Sequence, residues 1–92
     1  MSDKKRCATV KIANKLGLHA RSASKIVEAS ARFSSRITVS KDGQCVDGLS
    51  IMGMLMLAAR MGSEIEICAE GPDAEEALRA LVALAEAKFG EE

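Results

Sequence analysis

The sequence predicts an α+β fold, an open-faced β-sandwich in which a single sheet carries every helix on one face. Two observations predict it. Each apolar strand segment alternates strictly with polar residues, so each can turn one side to water. The helical stripes fall between these strands, and Gly17, Asp42-Gly43, Gly48, Gly62, Gly71-Pro72 and Gly90 punctuate the chain into the order β-α-β-β-α-β-α. A ferredoxin-like arrangement needs almost the same order, and periodicity alone does not separate the two.

Ala8, Val10 and Ile12 alternate with Thr9, Lys11 and Ala13 as a half-buried first strand. After Gly17, the residues Ala23, Ile26, Val27, Ser30 and Ala31 fall at helical spacing, with Lys25, Glu28 and Arg32 facing away. Ile37 and Val39 mark the second strand. Asp42-Gly43 is a hairpin signal, and Gln44 to Asp47 returns as the third strand. Ser50 is a natural N-cap for a second helix over Ile51 to Met61, which Gly62 ends as a C′ residue. Ile65, Ile67 and Ala69 form a fourth strand whose outer face carries Glu64, Glu66 and Glu70. Asp73 with Glu76 is an N-terminal capping signature, and Leu78, Leu81, Val82, Ala85 and Phe89 make the inner stripe of the last helix.

The 92 residues suffice for one small domain, expected over 1–92 with residues 1–6 as a flexible N-terminus. Only Phe33 and Phe89 are aromatic, which leaves almost nothing for stacking on bases, so no nucleic-acid partner is expected. No apolar run reaches the 18 or so residues of a membrane span, and Met1 to Arg6 leads into polar sequence without a signal-peptide hydrophobic region. A cytoplasmic location without membrane insertion is expected. Cys7, Cys45 and Cys68 are widely spaced and odd in number, and read as reduced, mostly buried thiols rather than metal ligands. Charge is segregated: residues 1–41 hold ten basic and two acidic side chains, a net of +8, and residues 42–92 hold three and eleven, a net of −8. Such a basic half suits an anionic ligand or an acidic protein surface, or simply a solvated face.

The only histidine, His19, lies directly after Gly17-Leu18 and directly before the first predicted helix. Free N–H groups of a first turn, here those of Ala20 and Arg21, and the positive end of the helix dipole favour an anion there. The same field favours a neutral imidazole able to act as a nucleophile. The Arg21 guanidinium could fork onto phosphate oxygens. The bland alternative is a surface histidine that happens to cap a helix. A hydrolase with His19 as general base lacks any paired nucleophile.

Three stretches together resemble the HPr family of histidine-containing phosphocarriers of the bacterial phosphotransferase system: Leu16-Gly17-Leu18-His19-Ala20-Arg21, Gly48-Leu49-Ser50-Ile51-Met52-Gly53, and Ala69 to Leu78. The match runs in register from about Ala8 to Phe89. The resemblance implies a four-stranded antiparallel sheet with three helices and phosphorylation of His19 on Nδ1 by enzyme I. It implies passage of the phosphoryl group to an enzyme IIA-type acceptor, with Arg21 neutralising phosphoryl charge. The chain would then be a covalent carrier rather than a stand-alone turnover enzyme, acting as a monomer without a cofactor or metal. Asn-Lys-Leu-Gly before His19 and Gly-Pro-Asp in the later loop lie closest to the nitrogen-related and proteobacterial branch, a resemblance that leaves both regulation and sugar transport open as outputs.

By the same resemblance, Ser50 matches the serine that an HPr kinase/phosphorylase modifies, and Ile51, Met52 and Leu55 would belong to a partner-docking face. Flexible Met side chains suit a surface that fits several partners, although about half of this apolar helix is expected to be core. A second reading makes the chain a regulatory binding module controlled at Ser50, with His19 dispensable. Two positions depart from the family pattern. Ser22 stands where Pro is usual, a change that removes no helix bond, and Leu49 stands where Lys is common.

Overall fold

The computed structural model describes residues 4–91. Strand β1 (Lys4–Lys11) leads through a loop to helix α1 (Ala20–Ala31). Strands β2 (Arg36–Lys41) and β3 (Gln44–Asp47) form a hairpin, helix α2 (Ile51–Met56) precedes strand β4 (Glu64–Gly71), and helix α3 (Ala74–Glu86) follows. The sheet order is β1-β4-β2-β3 and every pairing is antiparallel. The open-faced sandwich is therefore the arrangement adopted.

The alternation seen in the sequence decides which face is covered. Val10, Ile37, Val39, Ile65, Ile67 and Ala69 are buried against Ala23, Ile26 and Ala29 of α1, Met54 of α2, and Ala77, Leu81 and Ala85 of α3. Opposite them, Lys5, Thr9, Lys11, Glu64, Glu66 and Glu70 remain exposed, or nearly so, on the other face. Asp42 and Gly43 both take positive φ, 51° and 82°, which closes a two-residue hairpin whose twist matches the strands it joins. No helix among the described residues is long and apolar enough to cross a membrane.

Several expectations need correction. β1 begins at Lys4, so Lys4, Lys5 and Arg6, expected in a flexible terminus, pair with Gly71, Glu70 and Ala69. Residues 1–3 lie outside the described residues. α2 stops at Met56 instead of continuing to Met61, because Ala58 adopts a left-handed φ of 52° and the chain turns back. That turn sends the Ala59 carbonyl to the Leu18 N–H at 2.8 Å, tying the end of α2 to the loop before α1. Gly62 serves the following turn, its N–H donating to the Ile12 carbonyl at 2.7 Å.

Asp73 precedes α3 but makes no capping bond to it; its carboxylate accepts instead from the Ser34 N–H at 2.9 Å and the Ser35 N–H at 2.8 Å. Phe89 is not on α3. It lies in a separate turn, Lys88–Gly90, and remains one of the largest fully buried side chains. Truncating it to Ala would cost about 3–5 kcal/mol.

The cysteines also differ from expectation. Cys7 and Cys68 face each other in register on β1 and β4, 4.0 Å apart at Cα, and form a disulfide. Cys45 is a free, exposed thiol. An odd count at wide spacing says nothing about register, and register is what brings two residues separated by 61 positions together.

Candidate functional site

His19 is the N-cap of α1, with extended backbone (φ −135°, ψ −178°). Its Nδ1 accepts from the Arg21 N–H at 3.3 Å, so this nitrogen carries its lone pair toward the first turn of the helix. Ser22 is fully buried, and its hydroxyl accepts from the His19 N–H at 3.0 Å and lies 3.2 Å from the Gly17 and His19 carbonyl oxygens. Ser22, where the family pattern has Pro, is thus the reciprocal half of a capping box.

Gly17 shapes the loop. Its φ of +67° is left-handed, and a Cβ there would run into the Ala59 carbonyl and come within 2.9 Å of the Arg60 Cα. Only glycine lets the loop lie this close to the segment after α2.

The ring is held from the other side by a residue the sequence reading missed. Nε2 of His19 lies 2.6 Å from Oε2 of Glu91, with the two side chains 28% and 13% exposed. The other carboxylate oxygen of Glu91 accepts from Asn14 Nδ2 at 2.9 Å, and the same Asn14 amide donates to the Gly17 carbonyl at 2.8 Å. Asn14 is fully buried. Lys88, Phe89 and Gly90 all have positive φ, from 54° to 75°, which reverses the chain after α3 and returns Glu91 to the histidine. Phe89 anchors that turn in the core, and Lys25 Nζ donates to the Phe89 carbonyl at 2.5 Å.

The desolvation of Glu91 by its neighbours pushes its carboxyl up. Hydrogen bonds from Asn14 and His19, with the charges of His19 and Lys25, outweigh this and hold it below the ordinary carboxylate range. Glu91 is therefore an anion that accepts a proton-bearing Nε2. In the neutral ring these two contacts place the hydrogen on Nε2 and the lone pair on Nδ1, the division of labour an imidazole nucleophile requires.

The remaining predicted residues divide in two. Ala20 and Arg21 occupy the first two positions of α1, where backbone N–H groups lack intrahelical partners, and the exposed Arg21 guanidinium has no side-chain partner among the described residues. Ser50 caps a different helix: its hydroxyl accepts from the Gly53 N–H at 2.9 Å and does not bond the His19 loop. On α2, Met52 is 70% exposed and Ile51 and Leu55 are partly exposed, whereas Met54 and Leu57 are core. Leu16, Leu49, Met56 and Met61 add to the exposed apolar surface. Among the described residues one trio of metal-donor types converges, Cys7, Cys68 and Glu66 within 4.8 Å, but its two sulfurs are bonded to each other.

Comparison with known proteins agrees with this geometry. Residues 7–87 match the family model described as the PTS HPr component phosphorylation site. A phosphocarrier protein HPr of Cupriavidus necator is 48% identical over 80 residues, covering 87% of this chain and 90% of that protein. A phosphocarrier protein NPr of Shewanella violacea is 43% identical over 82 residues, covering 89% and 90%. The crystal structure of an HPr from Thermoanaerobacter tengcongensis superposes with a TM-score of 0.90 at 48% identity, covering 95% of this chain and 98% of that one.

Proposed function

The chain belongs to the HPr family and is a phosphocarrier of the phosphotransferase system, and on that premise we propose how its own residues carry the phosphoryl group. His19 is the acceptor. Its Nδ1 lone pair attacks the phosphorus of a phosphoryl group presented by enzyme I; the N–P bond forms as the bond from phosphorus to the donor breaks. The observation that supports this most is the split between the two ring nitrogens, Nδ1 at the N-terminus of α1 and Nε2 on Glu91.

Ala20 and Arg21 supply backbone N–H groups and the exposed guanidinium of Arg21 supplies charge to the phosphoryl oxygens. Glu91 keeps Nε2 protonated before and after transfer. The phosphorylated ring then bears a positive charge that the carboxylate balances, and Nδ1 leaves as a neutral imidazole when the group moves to an enzyme IIA-type acceptor. No proton has to enter or leave the ring. Positioning and fixed charge do the work, as in other phosphoryl transfers.

Ile51, Met52 and Leu55 form the docking surface for both partners, reached by the same protein acting as a monomer in the cytoplasm, with the chain working as one domain. Ser50 is half-exposed, so an HPr kinase/phosphorylase can reach it. A phosphate there would add about −1.5 to −2 charge beside Met52 and weaken acidic partners.

The test is incubation with enzyme I and phosphoenolpyruvate. Wild type should take up an acid-labile, alkali-stable label that His19→Ala does not. Equal labelling of the variant, or an acid-stable label, would overturn the assignment.

A further inference from the structure

The open face of the sheet holds chemistry that phosphoryl transfer does not use. Two rows of cross-strand partners run side by side over β1, β4 and β2: Lys5, Glu70 and Arg36 in one, Cys7, Cys68 and Thr38 in the next. The Cys7–Cys68 disulfide lies in this exposed face, and Cys7 is open to solvent. Cys45, on β3, is a free and exposed thiol. Together with Cys68, Lys5, Arg36, Thr38 and Glu70 it lines a cavity of about 220 Å³.

We propose that this cavity is a thiol–disulfide exchange site for a small anionic thiol of the glutathione class. Lys5 and Arg36 offer two cations to the carboxylates of such a ligand, and Glu70 between them faces its amino group. Exposed disulfides are the labile and regulatory ones, whereas structural bridges are shielded from attack.

In the first step the ligand thiolate attacks Cys68 Sγ, the member of the bridge that lines the cavity. A new ligand–Cys68 bond forms, the Cys7–Cys68 bond breaks, and Cys7, which is open to solvent, leaves as a thiolate that takes a proton from it. A second ligand thiolate then attacks the ligand sulfur of the mixed disulfide, and Cys68 leaves as a thiolate that is protonated while the ligand's own disulfide is released. Two electrons pass from two ligand thiols to the protein, and the reverse sequence reforms the bridge. Opening it removes a cross-link between two residues 61 apart in the chain. Cys45 lines the same cavity as a free thiol.

The site is tested on the full chain equilibrated at neutral pH in buffers of reduced and oxidised glutathione, quenched in acid, alkylated and counted by mass spectrometry. The bridge is read in Cys45→Ser, where the number of alkylated cysteines should pass from none in oxidising buffer to two in reducing buffer. The Lys5→Glu, Arg36→Glu double variant should slow opening by glutathione about threefold or more, and leave opening by uncharged dithiothreitol unchanged. Two thiols in every buffer or none in every buffer for Cys45→Ser, a wild-type bridge that includes Cys45, or equal slowing with both reductants would each overturn the proposal. His19→Ala should match wild type in thiol count, so failure of the phosphoryl reading leaves this result unaffected.

Discussion

The imidazole of His19 and the carboxylate of Glu91 meet at 2.6 Å although 72 residues separate them in the chain. This contact turns a helix-capping histidine into a ring with assigned nitrogens. It depends on the left-handed turn at Lys88–Gly90 and on buried Asn14, which holds both the carboxylate and the Gly17 carbonyl.

Replacing the carboxylate isolates its charge from its shape. Glu91→Gln keeps an oxygen for Asn14 but removes the anion that balances the phosphorylated ring. Stopped-flow transfer from phosphorylated enzyme I should slow by about tenfold, the scale of one charge-assisted hydrogen bond, while the melting temperature moves little. An unchanged rate would show that Glu91 merely packs against the ring.

Ser22 tests the capping box. Ser22→Ala leaves the His19 N–H without its partner and should lower stability in urea by about 1 kcal/mol, with an unchanged m-value. A loss within error would mean that the hydroxyl contributes nothing to holding α1 at its start.

Gly17 is required by its backbone. Gly17→Ala forces a Cβ into the Ala59 carbonyl at a φ of +67°, a strain of about 1–3 kcal/mol. Both stability and the rate of phosphorylation should fall, because the same loop carries His19. A variant as stable and as fast as wild type would contradict the close approach of the loop to the end of α2.

Asp73 provides a pH signature. The hydroxyl of Ser35 is the main group holding its carboxyl below the ordinary range, helped by the N–H groups of Ser34 and Ser35 and opposed by desolvation. With the folded pKa lowered, its contribution to stability is complete above the ordinary carboxylate value of 3.8 and is lost as pH falls through the lower folded value. Melting temperatures of wild type and Asp73→Asn should therefore differ by a constant amount near neutrality and converge in acid. A difference that widens in acid would contradict this sign.

How much of this was legible in the sequence follows from the range over which each feature is encoded. The strands could be read from local alternation, as in Val10 and Ile12 or Ile65 and Ile67, and His19 could be placed before a helix because its neighbours begin an apolar stripe. The early end of α2 could not, since Ala58 gives no residue-level sign of a left-handed backbone; the turn exists to bring the Ala59 carbonyl to the Leu18 N–H. Asp73 and Glu76 match a capping pattern, yet the carboxylate has better donors in Ser34 and Ser35, more than 35 residues earlier. Glu91 and the Cys7–Cys68 bridge depend on chain reversal and strand register. Neither leaves a periodic trace.

Nitrogen-15 NMR of the phosphorylated protein, with the ring nitrogens of His19 assigned, tests the central claim most directly. The account predicts phosphorus coupled to Nδ1 and a proton retained on Nε2, with that proton's signal altered in Glu91→Gln. Phosphorus on Nε2, or an Nε2 without a proton, would contradict it.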